Sequence, residues 1–152
     1  MITVITYGTF DLFHIGHLKL LQRLSELGDK LIVGVSTDEF NSEKGKSTII
    51  KFEDRAAIVG ALRFVDQVIP EYSWDQKPKD IKNHDATILV MGDDWTGKFD
   101  HYSKLCEVQY VPRTHGVSTS SLKDNLGYIN KDSVEEMKKA LDMLGKIVKK
   151  FD

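Results

Sequence analysis

The chain has a single cysteine, Cys106, among its 152 residues. One thiol cannot close an intramolecular disulfide or build a cysteine-rich metal centre. Its neighbours Leu105, Glu107 and Val108 suit a small apolar packing residue at a strand start rather than a reactive thiol. Net charge is nearly absent too: 21 Lys and Arg against 23 Asp and Glu leave a formal −2. That balance removes the general electrostatic case for binding nucleic acid, so any anion site must be built locally. No apolar run approaches the roughly 20 residues that span a bilayer. The first residues enter a strand pattern directly, without the basic start and apolar stretch of a secretion signal. The expectation is therefore a cytoplasmic protein with no membrane span. Hydrophobic residues make up 41% and charged residues 29%, which is a globular balance, and the length suits one domain with a substantial core.

What the chain does have is alternation. Apolar, β-rich runs lie at residues 2–7, 30–36, 65–69, 87–91 and 108–111. Helical patterns are expected at 18–27, stopped by Gly28 as a C-cap, at 52–64, at 78–84 and at 122–126. Short apolar runs without strict alternation suit strands covered on both faces. The expected fold class is α/β: a Rossmann-like open parallel sheet of five strands with helices on both faces. Residues 1–126 would form this domain and 127–152 an appended amphipathic helix. In that helix, Ser133 and Glu136 read as a capping box, and Val134, Met137, Leu141, Leu144 and Val148 recur at helical spacing. The stripe suits packing on the same domain or across a dimer better than a membrane surface.

In such sheets ligands bind beyond the carboxyl ends of the strands. The polar stretches 9–17, 37–51, 71–77, 92–98 and 113–120, all but the third containing glycine, fall on that rim. The first is Thr9-Phe10-Asp11-Leu12-Phe13-His14-Ile15-Gly16-His17. Two imidazoles at a helix start, beside unpaired backbone N–H groups, suit a polyphosphate. A zinc reading of His14 and His17 is weak without a third soft ligand, and Gly16 leaves room for the helix start to approach phosphates. The last stretch, Arg113-Thr114-His115-Gly116-Val117-Ser118-Thr119-Ser120, offers a guanidinium and hydroxyls at another helix start. An ordinary Ser/Thr helix cap is the alternative.

Lys44-Gly45-Lys46 places two lysines on a rim loop; solvated surface is the alternative, as it is for Lys77. Arg55 and Arg63 share a helix, with Arg63 and Asp66 favoured as support for the site. Asp93 and Asp94 suit a magnesium ion, a ribose or an Asx turn, with a nucleotide role favoured for Asp94. Trp74 and Trp95 are apolar anchors. Asp11 suits a bond to a histidine or a metal-bound water, or a local cap.

Taken together, Gly8-Thr9-Phe10-Asp11 with His14-Ile15-Gly16-His17, Arg63-Phe64-Val65-Asp66, Met91-Gly92-Asp93-Asp94-Trp95 and Arg113-Thr114 with Gly116-Val117-Ser118-Thr119-Ser120 resemble the cytidylyltransferase family. The His-x-Gly-His element alone marks the wider nucleotidylyltransferase superfamily; the Arg-Thr element is what points to CTP. The likeness is strongest to members that use glycerol 3-phosphate and runs from the first residue to about Leu126.

The resemblance implies a homodimer that converts CTP and sn-glycerol 3-phosphate to CDP-glycerol and pyrophosphate with Mg²⁺, for teichoic-acid-like or capsular polymers. It assigns CTP contacts to Thr9, Phe10, His14, Ile15, Gly16, His17, Lys46, Asp94 and each residue from Arg113 to Ser120. Of these, His14, His17, Lys46 and Arg113 would be catalytic. Lys44 and Lys77 would hold the acceptor, and Asp11, Arg55, Arg63 and Asp66 would support the site. Mg²⁺ would ride mainly on the CTP phosphates, with Asp11 or Asp94 as protein ligands. The family pattern carries glutamate at the place of His115 and isoleucine at that of Val117, and the helix after Asn130 extends beyond its short members. Two alternatives stay open: another phosphorylated alcohol as acceptor, such as ribitol 5-phosphate or phosphoethanolamine, and a catalytically silent nucleotide-binding module.

Overall fold

The five β-rich runs become the strands of one parallel sheet: β1 (Thr3–Gly8), β2 (Lys30–Ser36), β3 (Gln67–Glu71), β4 (Ile88–Gly92) and β5 (Glu107–Val111). This computed structural model describes residues 1–114, 116–127 and 131–151. The strand order is β3-β2-β1-β4-β5, with every pairing parallel. The chain winds outward from β1 to β3, then returns to the other side of β1 for β4 and β5. The order reverses between β1 and β4, so the crevice that such sheets offer to ligands lies beyond Gly8 and Gly92.

Successive side chains point to opposite faces of a strand, and the core divides accordingly. Val4, Leu31, Val33 and Val90 pack on one face with Leu21 and Leu24 of α1 (Ile15–Ser25) and Val59 of α3 (Phe52–Gly60). Ile5, Tyr7, Ile32, Leu89 and Met91 pack on the other with Ile81 of α4 (Lys77–Asn83), Phe99 and Cys106. The strands are covered on both faces, which explains their near-continuous apolar runs. Among the described residues no helix is long and apolar enough to cross a membrane.

Several local expectations are corrected. Helix α1 starts at Ile15 and is capped at Glu26, ahead of Gly28. At Gly28 a Cβ would sit 2.6 Å from the carbonyl oxygen of Ile2, so this glycine serves close packing against the start of β1. The stretch 37–51 is not all loop: Thr37 accepts a bond from the Phe40 N–H and starts a short helix, α2 (Asp38–Glu43). Helix α3 stops at Gly60, four residues early. The chain forms two compact units, Met1–Thr119 and a second that begins at Ser120. Helix α5 (Thr119–Asn125) starts earlier than expected, and α6 runs Lys131–Lys149. Ser133 therefore lies inside α6 rather than at its N-cap, where the sequence pattern puts it.

Gly34, in the middle of β2, has no room for a side chain: a Cβ would stand 2.3 Å from the Tyr7 ring. That ring is buried, and its hydroxyl donates to Asp80 at 2.9 Å. Gly34→Ala should lower stability by about 1–3 kcal/mol through overpacking. Urea denaturation checks this; an unchanged midpoint would show that Tyr7 yields freely.

Candidate active site

The rim is held together by two buried side chains of opposite charge. The Arg55 guanidinium, 1% exposed, donates to the Thr9 carbonyl at 2.7 Å, the Ile50 carbonyl at 2.9 Å and Asp38 at 2.8 Å. Asp11, 2% exposed, accepts from the backbone N–H groups of Ile49, Ile50 and Leu12 at 2.8, 2.9 and 3.1 Å. Together they clamp the loop after β1 onto the segment before α3. Phe10 and Leu12, on either side of Asp11, hold left-handed φ values of 55° and 50°, and the clamp supports that strain. The Asp11 carboxylate is thus occupied by backbone donors. The Phe10 ring is buried in the core, edge-on to His17. Thr9 donates to Asn41 at 3.2 Å.

The two histidines cap their own helix. His14, at the N-cap, accepts the Gly16 N–H on Nδ1 at 3.0 Å, and His17 returns an Nδ1 to the His14 N–H at 3.2 Å. This is a capping box built from imidazoles, their rings stacked 3.9 Å apart. With Nδ1 accepting, the ring proton of each neutral imidazole sits on Nε2. Burial lowers the pKa of His14. Burial, with some repulsion from His14 and against the pull of Asp11, lowers that of His17 to about 4. At neutral pH both present an uncharged N–H. The His14 Nε2 lies 3.4 Å from the Thr119 hydroxyl, which itself donates to the Asp11 carbonyl at 3.1 Å. Gly16 is explained differently from the expectation: a Cβ there would meet the His14 ring at 2.8 Å. Ile15 is exposed beside them.

Beyond β2 and β3 lies a second, charged chamber. Lys77 is fully buried, with its Nζ 2.7 Å from Glu71; the surface alternative for this residue fails. The other Glu71 oxygen accepts from Ser36 at 2.7 Å, and Lys44 reaches the same Ser36 hydroxyl at 3.4 Å. Lys77 Nζ lies 4.4 Å from the Tyr7 ring centre and 5.1 Å from that of Trp74; Lys44 Nζ lies 4.2 Å from that of Phe40. Aromatic faces shelter both ammonium groups. Burial lowers the Lys44 pKa; Glu71 opposes this, and Lys46, Lys77 and Arg55 add to it. Trp74, Trp95, Phe99 and Tyr102 wall an adjoining cleft of about 290 Å³. Glu71, Ser36, Tyr7 and Asp80 were not singled out from the sequence, because their partners come from other segments of the chain.

Lys46 is exposed on a separate cleft of about 220 Å³ beside Asp38, Ser42 and Lys51. Arg113, after β5, pairs with Asp94, after β4, and both are exposed. The Thr114 hydroxyl lies 3.5 Å from the Gly16 carbonyl, so the 113–119 segment meets the start of α1. Gly116 has a φ of 87°; Val117 and Ser118 are half-buried. Ser120 belongs to the second unit, and His115 lies outside the described residues. Two residues are not brought to this rim. Asp66 accepts the Leu31 N–H at 2.7 Å, at the opposite end of the sheet, where β2 begins, and Arg63 precedes it there.

Among the described residues no three His, Cys, Asp or Glu side chains group to hold a metal. Asp11 is occupied by N–H donors and Asp94 by Arg113, so these side chains do not fit a protein-held Mg²⁺.

An NMR titration should find His17 changing charge near pH 4, with Nδ1 unprotonated in the neutral ring. A histidine kept neutral by folding binds fewer protons than the unfolded chain below pH 6.5. Its contribution to stability is therefore complete above that value and is lost as pH falls toward 4, by about 2 kcal/mol after allowance for partial exposure. A midpoint at 6.5, or an Nδ1–H tautomer, would contradict the capping geometry.

The chain is similar to known proteins. The family described as cytidylyltransferase-like matches residues 5–138. A glycerol-3-phosphate cytidylyltransferase of Bacillus subtilis (strain 168) is 54% identical over 123 residues, covering 81% of this chain and 95% of that protein. One of Staphylococcus aureus (strain NCTC 8325 / PS 47) is 50% identical, covering 81% and 93%. Among solved structures, the lipopolysaccharide core biosynthesis protein of Thermoplasma volcanium GSS1 aligns with a TM-score of 0.67 at 27% identity, covering 75% of this chain and 98% of that one. With its imidazole-capped helix on the rim of a doubly wound parallel sheet, the chain belongs to the cytidylyltransferase-like family.

Proposed function

We propose that this chain transfers a cytidylyl group from CTP to glycerol 3-phosphate, releasing pyrophosphate and CDP-glycerol. The observation that carries the reading is the pairing, on one sheet rim, of neutral N–H donors at a helix start with a chamber of two lysines around one carboxylate. The near-complete coverage of the glycerol-3-phosphate cytidylyltransferases supports the choice of acceptor.

The chemistry follows from these groups. An oxygen of the acceptor phosphate attacks the α-phosphorus of CTP, the bond from that phosphorus to the oxygen bridging to the β-phosphate breaks, and pyrophosphate leaves. A phosphate monoester is already an anion at neutral pH, so no general base is needed, and positioning with charge stabilisation does the catalysis. The Nε2–H groups of His14 and His17 donate to oxygens that gain charge, aided by the start of α1. Lys46 and Arg113 neutralise the triphosphate. Lys44 and Lys77 exceed Glu71 by one positive charge, which suits a bound phosphate, and the aromatic cleft takes the polyol. Mg²⁺ enters as part of the MgCTP substrate. The cytoplasm is the compartment, catalytic units pair as a homodimer, and the product suits polymers with polyol-phosphate repeats, of the teichoic-acid or capsular kind.

Pyrophosphate release should require CTP and be fastest with glycerol 3-phosphate against ribitol 5-phosphate and phosphoethanolamine. No release with glycerol 3-phosphate would sink the proposal; CTP binding with no release on any acceptor would favour a silent module. His14→Asn keeps a capping oxygen but removes the Nε2 donor, so kcat should fall about 10²-fold with stability nearly unchanged. Lys44→Met should raise the acceptor KM about 10-fold or more and leave that for CTP nearly unchanged; an equal rise in both would remove Lys44 from the acceptor.

A further inference from the structure

Among the described residues, one buried side-chain nitrogen or oxygen has no hydrogen-bond partner: the Nδ2 of Asn41. Asn41 lies in α2 and is 1% exposed. Its Oδ1 accepts from the Thr9 hydroxyl at 3.2 Å. Its backbone carbonyl accepts the Lys46 N–H at 2.8 Å, and its own N–H donates to the Thr37 carbonyl at 3.0 Å. A buried N–H without an acceptor is costly and rare in folded proteins, more so than an under-satisfied carbonyl oxygen. Thr9 is placed differently. It is half-buried and directly follows Gly8, where the crevice between β1 and β4 opens. Thr9 can meet a ligand there, whereas the covered Asn41 amide cannot.

A hydroxyl has one proton to donate. With that proton directed at Asn41, the Thr9 oxygen turns only lone pairs toward the crevice, which suits a phosphate oxygen poorly. Half a turn of the Asn41 amide exchanges its oxygen and nitrogen and leaves the backbone in place. Nδ2 then donates to the Thr9 oxygen, the orphaned donor is satisfied, and the Thr9 proton is free to point outward. The group left unpaired is the amide oxygen, the more tolerable of the two. We infer that Asn41 is a positioning residue for the nucleotide: with CTP bound, its amide donates to Thr9 and Thr9 donates to a phosphate oxygen of CTP. This rests on the reading of the rim as a CTP site. A chain running from N–H to O–H to an anionic oxygen strengthens each of its bonds. The nucleotide is favoured over the acceptor by the neighbours of Asn41. Thr9 leads into the turn that carries His14 and His17, and the Asn41 carbonyl holds Lys46. The bonds of the lysine chamber run instead through Ser36, Glu71 and Lys77.

Two measurements on the full chain test this: steady-state KM values for both substrates, and the NMR signals of the Asn41 side-chain amide. Asn41→Leu keeps the volume but neither donates nor accepts, so it should raise the CTP KM about 10-fold and leave that for glycerol 3-phosphate nearly unchanged. In a Thr9→Val background the same exchange should change the CTP KM less than about 2-fold, because the hydroxyl through which Asn41 acts is gone. In Thr9→Ser, which keeps the hydroxyl, the full effect should return. Saturating CTP should move the Nδ2 proton signals of the wild-type chain downfield, and Thr9→Val should abolish that shift; this readout needs no change at Asn41. An unchanged CTP KM in Asn41→Leu, an equal rise in both KM values, or an undiminished effect in the Thr9→Val background would overturn the inference. A wild-type chain that CTP does not saturate would overturn the nucleotide reading itself, whereas saturation with unmoved amide signals would overturn only the role of Asn41.

Discussion

The buried Arg55 guanidinium is the contact on which the rim depends. A charge taken out of water is tolerable only where its donors are matched, and Arg55 meets carbonyls at Thr9 and Ile50 and the carboxylate of Asp38. Those partners follow β1, open α2 and precede α3, so one side chain ties three turns of the rim together. Asp11 repeats the logic with the opposite sign, accepting N–H groups from the very segment to which Arg55 donates. Between them they fix the strained loop that delivers His14 to the start of α1. Lys77 and Glu71 do the same for the lysine chamber, where removal of either partner would leave a charge buried against aromatic rings.

The elements were largely legible in the sequence because their signals are local. The continuous apolar runs of β2 and β4 encode strands covered on both faces, and the His-x-Gly-His turn encodes a helix start by its neighbours alone. The glycines were read less well. Gly28 resembled a helix cap by position, but the close passage of Ile2, contributed by another segment, decides its role. Gly16 suggested room for phosphate, whereas the His14 ring fills that space. Asp66 was drawn to the site by its motif, yet the parallel topology puts the start of β3 at the far end of the sheet. In one dimension Lys77 fits a surface as well as a site, because Glu71 looks equally ordinary there. Its burial follows only once β3 and α4 set Glu71 and Lys77 side by side. The stripe from Val134 to Val148 is visible as helical periodicity, and the structure keeps it on one helix, α6.

Neutral imidazoles are the better donors for this chemistry, and the protein makes them neutral by folding them over their own helix. A cationic pair would bind the ground-state triphosphate and the pyrophosphate product as firmly as the transition state, and such uniform binding does not raise kcat. An N–H held by a capping bond has a fixed direction and needs no reorganisation, so it favours the geometry in which charge develops. Positive charge lies elsewhere, on Lys44, Lys46, Lys77 and Arg113 around the rim. The capping box therefore sets the state of both nitrogens of each ring. Nδ1 starts the helix, which leaves the proton on Nε2, and at His14 that nitrogen lies 3.4 Å from the Thr119 hydroxyl. Any residue that caps α1 as well but lacks a second, rigidly coupled donor would preserve the fold and lose this coupling.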